Sequence, residues 1–129
     1  MEMTNEEKLL AVRQIDELDV DAGLRTISNL VGAYLKVLGI LVKMNINDEG
    51  KFEALLAEND YEAFRTLIHG YKGALANIGA SELADKARVL EVAAIDNDRS
   101  VIDEKLNEFK DGVTALAIKL KDILGEPQN

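Results

Sequence analysis

His69 is the only histidine of the chain, and it stands in the run His69-Gly70-Tyr71-Lys72-Gly73. An imidazole can serve as an acid or base, a metal ligand, or a nucleophile that carries a transferred group. Its surroundings decide among these. Phe64, Leu67, Ile68, Tyr71, Leu75 and Ile78 recur at three- and four-residue spacing, which predicts one amphipathic helix. At about 100° per residue, His69 lies roughly 140° around the helix from the centre of that apolar stripe. The ring is therefore expected to face water, where its neutral form has one nitrogen lone pair free.

Arg65 one turn earlier and Lys72 one turn later bring positive charge to the same face, on a chain that is acidic elsewhere. Gly73, four residues after His69, removes the side chain that would stand beside the ring. Each glycine in this run costs about 1 kcal/mol relative to alanine in a helix interior, which asks for a reason beyond folding. A cleared surface benefits only a large partner, because a small ligand reaches an exposed ring anyway. A neutral nucleophilic nitrogen, flanking cations and an open approach suit receipt of a phosphoryl group, whose transfer depends on positioning and charge stabilisation. Arg65 has a second reading as the ion-pair partner of Glu62, and Gly73 has one as a helix-packing glycine, although its direction lies nearer His69 than the core stripe.

Other chemistries are excluded or poorly served. There is no cysteine, so disulfides and thiolate metal sites are ruled out, and one histidine is a poor basis for zinc. No metal site is expected. The acid run Asp16, Glu17, Asp19, Asp21 lacks the spacing and terminal Glu of a calcium loop and reads as a solvated turn. Neither a glycine-rich nucleotide loop nor a Ser/His/Asp set is present. Twenty-four acids against fifteen bases leave a formal charge of -9, which repels nucleic acid and anionic lipid alike.

The elements that must position His69 are helical throughout. The one proline is Pro127, and period-two alternation is missing. The spacing predicts short helices over 6–15 and 21–27, and a longer one capped by Ser28 or Asn29 that reaches about Met44. Leu30, Tyr34, Val37, Leu38 and Leu41 form its buried face. Asn45, Asn47, Asp48 and Gly50 mark a loop, 51–57 a brief helix, and Asn59 or Asp60 caps the helix of His69, which ends near Gly79. Ser81 caps the next, burying Leu83, Ala87, Leu90 and Ala94. The last, over 101–124, buries Ile102, Leu106, Phe109, Val113, Leu116, Leu120 and Ile123. The fold expected is all-α, an antiparallel four-helix bundle with short N-terminal helical segments capping one end. Residues 1–129 make one domain, with 1–5 and 125–129 flexible. The acidic N-terminus is unlike a signal peptide, and the apolar stretch 31–42 is too short to span a bilayer and is interrupted by Lys36, so a cytoplasmic protein is the default.

The run His69-Gly70-Tyr71-Lys72-Gly73, followed by Ile78-Gly79-Ala80 and Leu83, resembles the motif of the histidine-containing phosphotransfer (HPt) domain family. That motif is a histidine, any two residues, Lys-Gly, and then, about six residues on, Gly followed by a small residue. The stretch Asp19-Val20-Asp21-Ala22-Gly23-Leu24 also resembles the usual entry to these domains. The chain departs from the pattern at Tyr71, where leucine is more frequent, and at Ala74-Leu75, where small or hydroxyl residues are common; Tyr71 is expected in the core.

The resemblance implies a four-helix bundle whose exposed histidine exchanges phosphate with the aspartate of a receiver. It makes His69 the phosphoacceptor, Lys72 the cation near the phosphoryl oxygens, Gly73 the residue that lets the receiver close in, and Gly79 structural; Arg65, by its place on the same helix face, is expected to support the phosphoryl group. Glu62, Thr66 and Ala76 complete the expected receiver-docking face with Gly73. The implied partners are response-regulator receivers and an upstream histidine kinase or hybrid kinase. The chain would be a phosphocarrier and not an independent enzyme, acting as a monomer without a cofactor of its own, the magnesium belonging to the receiver. Two other readings stay open: a helical adaptor or scaffold that docks receivers or other proteins without carrying phosphate, and the phosphotransfer domain of a longer chemotaxis-type or hybrid kinase.

Overall fold

A computed structural model describes residues 2–126. Those residues form seven helices and no strand: α1 (Asn5–Val12), α2 (Val20–Thr26), α3 (Val31–Asn47), α4 (Lys51–Ala57), α5 (Tyr61–Ile78), α6 (Ser81–Ile95) and α7 (Arg99–Leu124). The long helices α3, α5, α6 and α7 make an antiparallel bundle in which each packs against two of the others. Cross-contacts fix the directions. Tyr34 near the start of α3 reaches Ile78 at the end of α5, while Asp48 just after α3 meets Tyr71. Asn45, late in α3, meets Thr114 of α7. Lys86 pairs with Glu108 between α6 and α7.

Local chemistry sets the helix ends. Asp19, Asp60 and Asp98 each accept a hydrogen bond from the backbone N–H three residues on, at 3.0, 3.0 and 3.2 Å, opening α2, α5 and α7. Thr4 and Glu7 form a reciprocal capping box at α1, so Thr4 and Asn5 belong to its first turn and not to a free tail. Met1 and residues 127–129, also expected to be flexible, lie outside the described residues. The acid run after α1 does structural work. Asp19 is a cap, Asp21 pairs with Arg13, and Glu17 reaches Lys119 of α7.

Four expectations are corrected. Ser28 and Asn29 do not cap α3; both have positive φ, 57° and 60°, and they close the turn after α2, where the Asn29 N–H meets the Leu24 carbonyl. Leu30, the residue before α3, has no side-chain cap and is 61% exposed, so it is not part of the buried face. Helix α3 continues through Asn45 to Asn47, beyond the expected loop start, and α6 begins at Ser81 with Ala80 in the cap position.

The core is continuous. Tyr34, Leu38 and Leu41 of α3 meet Phe64, Ile68, Tyr71, Leu75 and Ile78 of α5, with Leu90 of α6 and Ile102, Phe109 and Leu116 of α7. Phe52, Phe64, Tyr71 and Phe109 cluster with edge-on and tilted rings. The five apolar residues of α5 are buried almost completely. At about 1.5–3 kcal/mol for each buried large side chain, they fix the rotation of α5 about its own axis. No single helix among the described residues is long and apolar enough to cross a membrane.

Candidate phosphoacceptor site

The end of α5 is locked by α2. Gly79 takes a left-handed conformation with φ 89°, and the Ala80 N–H returns to the Leu75 carbonyl at 2.9 Å, ending the helix. The Gly79 carbonyl accepts the Asp19 N–H at 2.9 Å, and a β-carbon on Gly79 would collide with the Asp19 carbonyl. Gly23 is equally constrained, since a β-carbon there would stand 2.6 Å from the Ile78 carbonyl. That same carbonyl accepts the Tyr34 hydroxyl proton at 2.8 Å, and burial raises the Tyr34 phenol to about 12. The Asp19–Gly23 stretch and Gly79 are thus two halves of one joint.

With α5 held this way, the His69 side chain is 67% exposed, as its distance from the apolar stripe requires. Arg65, Glu62, Thr66, Gly73 and Ala76 share that outward face. A β-carbon added at Gly73 or Gly70 would meet nothing within 4 Å, so neither glycine is demanded by packing within the chain. Tyr71 points the other way, 2% exposed, its hydroxyl donating to Asp48 at 3.0 Å; burial pushes its phenol up. The departure of Tyr71 from the family pattern is therefore a matter of core packing.

The residue not anticipated from the sequence is Glu91 of α6. Its carboxylate, with a side chain only 13% exposed, bridges two groups of α5: Oε1 accepts from Lys72 Nζ and Oε2 meets His69 Nδ1, each at 2.5 Å. The Lys72 ammonium, and secondarily His69, hold the Glu91 carboxyl below its ordinary value against the opposing effect of burial. A carboxylate can only accept, so His69 Nδ1 must carry the proton of this hydrogen bond. In the neutral ring that leaves the lone pair on Nε2. A signal for Glu91 does lie in the sequence. Two antiparallel helices joined by a tight turn place residues equidistant from it side by side, and His69 is ten residues before Gly79 while Glu91 is twelve after.

Arg65 takes part in neither contact. It makes no ion pair among the described residues, so the alternative reading of Arg65 as the partner of Glu62 does not hold; it borders a shallow depression with Ala94 and Ile95. The structure thus brings His69 and Lys72 together through Glu91, and leaves Arg65 a turn away on the same side.

Chemically, the arrangement is an exposed imidazole whose Nδ1 is held by a carboxylate, with a cation beside it and a surface cleared by glycine. The family model described as Hpt domain matches residues 36–119, which takes in His69, Lys72, Gly73, Gly79 and Glu91. No curated protein and no solved structure matches the chain at a significant level. The match covers most of the chain and coincides with the bundle and its exposed histidine: this protein belongs to the Hpt domain family, whose members pass phosphoryl groups through histidine in two-component phosphorelays.

Proposed function

We propose that the chain is a cytoplasmic, monomeric phosphocarrier in which Nε2 of His69 accepts a phosphoryl group from the aspartyl phosphate of a response-regulator receiver and returns or forwards it. The observation that carries this reading is the Glu91 bridge. In the forward step the Nε2 lone pair attacks phosphorus, the bond from phosphorus to the aspartyl oxygen breaks, and that oxygen leaves with the electron pair as carboxylate. The ring becomes cationic as the bond forms, and Glu91, already accepting from Nδ1–H, stabilises the developing charge. The incoming group brings a charge of about -2 close to a partly buried carboxylate. Lys72 offsets that repulsion, since its ammonium has three donors and Glu91 takes only one of them. Arg65, one turn away, adds favourable potential.

Gly73, Glu62, Thr66 and Ala76 form the landing surface in this reading, and the receiver or an upstream histidine kinase supplies magnesium, nucleotide chemistry and most of the catalytic charge. The contact is transient, of modest area and rapidly released. The chain is a carrier because it offers an acceptor and an approach.

His69→Gln tests the assignment. The side chain is exposed, so the variant is expected to hold its helical circular dichroism and lie within about 0.5 kcal/mol of the parent in stability. Incubated with a phosphorylated receiver, the parent should gain acid-labile, base-stable phosphate and the variant none. A variant that still accepts phosphate would sink the assignment, and a parent that binds receiver without accepting phosphate would favour a docking adaptor.

A further inference from the structure

A second surface, unused by the phosphoryl chemistry, runs along α3. Gly32, Lys36, Gly39 and Lys43 fall within about 60° of one another around the helix and point away from the core. With Lys8 of α1 and Leu124 at the end of α7 they border a groove of about 480 Å³, and Leu35, Ile40 and Val42 supply its apolar wall. None of its lining residues lies on α5 or α6, so an occupant there leaves His69 uncovered.

The charges in this groove set it apart. Lys51, Lys72, Lys86, Lys105, Lys110, Lys119 and Lys121 are each paired with a carboxylate. Lys8, Lys36 and Lys43, the remaining lysines, all line the groove, and none of them makes an ion pair among the described residues; the one carboxylate on its lining, Glu126, is paired with Lys121. On a chain of net charge -9, with carboxylates in excess, three lysines without an ion pair among the described residues, against one carboxylate already paired elsewhere, make the groove locally positive.

We propose that this groove docks an acidic amphipathic helix of a partner protein. Lys36 and Lys43 are two helical turns apart, a rise of about 10.5 Å, which a helix lying alongside matches with carboxylates seven residues apart. An apolar side chain between those carboxylates would rest over Gly39 against Ile40, which is 54% exposed. A β-carbon at Gly39 would meet nothing within 4 Å, so the chain's own packing does not call for glycine, and its absence lets a partner's backbone come close. The concave shape favours a rod over a flat lipid surface, and net charge disfavours a second copy of this chain. Exposed charge pairs are individually weak, so binding should be modest and salt-sensitive.

The full ¹⁵N-labelled chain, titrated with an acidic, alanine-based helical peptide of about 18 residues carrying Glu at seven-residue spacing, tests this. Amide shifts are expected along residues 32–43 and at Asn5 and Lys8, with His69 unmoved, and should shrink as salt is added. Lys36→Glu with Lys43→Glu should weaken binding by about tenfold or more, and Lys36→Gln with Lys43→Gln, which removes charge without reversing it, by less. Absence of shifts at millimolar peptide, or shifts that survive both double substitutions, would overturn the proposal. So would self-association of the chain through this face, or binding to phosphatidylserine vesicles without binding to the peptide.

Discussion

Replacing Glu91 separates its two jobs, because an amide keeps one of them. In Glu91→Gln the side-chain carbonyl still accepts Nδ1–H of His69, while the charge facing Lys72 is gone; in Glu91→Ala both contacts are lost. A hydrogen bond to a charged group contributes about 1.5–3 kcal/mol, and about 1.4 kcal/mol is a factor of ten in rate. Glu91→Ala is therefore expected to slow transfer from a phosphorylated receiver by about 10–100-fold, and Glu91→Gln by clearly less. Rapid-quench rates decide, and equal losses would contradict the role of Glu91 in fixing the tautomer. The same residue predicts a pH effect. Lys72 holds the Glu91 carboxyl below its ordinary value of 4.5 in the folded chain, and unfolding releases it to that value. The ion pair thus stabilises the fold above that ordinary value, and its contribution is lost as pH falls through the lowered one. Urea denaturation from about pH 7 down to about pH 3 should show the stability gap between the parent and Glu91→Gln narrowing on the acid side. A gap that stays constant would mean that the pair adds nothing.

At the scale of the helix, Gly73 is where stability and function should move in opposite directions. Its backbone is helical and the space beside it is empty, so Gly73→Ala is expected to stabilise the bundle by about 0.5–1 kcal/mol. Gly73→Gln should keep or raise the melting temperature while transfer falls steeply, because the longer side chain stands one turn from His69 in the path of the receiver. Loss of stability in both variants would contradict the open face of α5. Helices were legible in the sequence wherever one local rule was enough: Asp60 and Gly79 bound α5, and the stripe from Phe64 to Ile78 fixes its rotation. Ser28 and Asn29 misled because the residue types that cap a helix start are also those that tolerate a left-handed turn at the end of the one before. His69 and Lys72 were legible because they share a helix. Glu91 was not read, since its place beside them depends on the register of α6 against α5, a tertiary relation that spacing along one helix does not contain.

For the whole molecule, the pieces outside the family match still matter to the site. Asp19 and Gly23 of the α2 region lie before residue 36, yet they clamp the end of α5 through Gly79 and the Ile78 carbonyl. The bundle is thus a frame that turns one face of α5 outward and brings α6 beside it. In the function proposed above, this frame leaves a single chemical position for the phosphoryl group, Nε2 of His69, with Nδ1 protonated toward Glu91. Long-range ¹H–¹⁵N correlation spectra of the ¹⁵N-labelled chain, recorded before and after phosphorylation by a receiver, test this most directly. The account predicts a free ring with its proton on Nδ1 and, after transfer, one phosphate per chain with the large nitrogen shift at Nε2. Phosphate on Nδ1, on any other residue, or on none would contradict it.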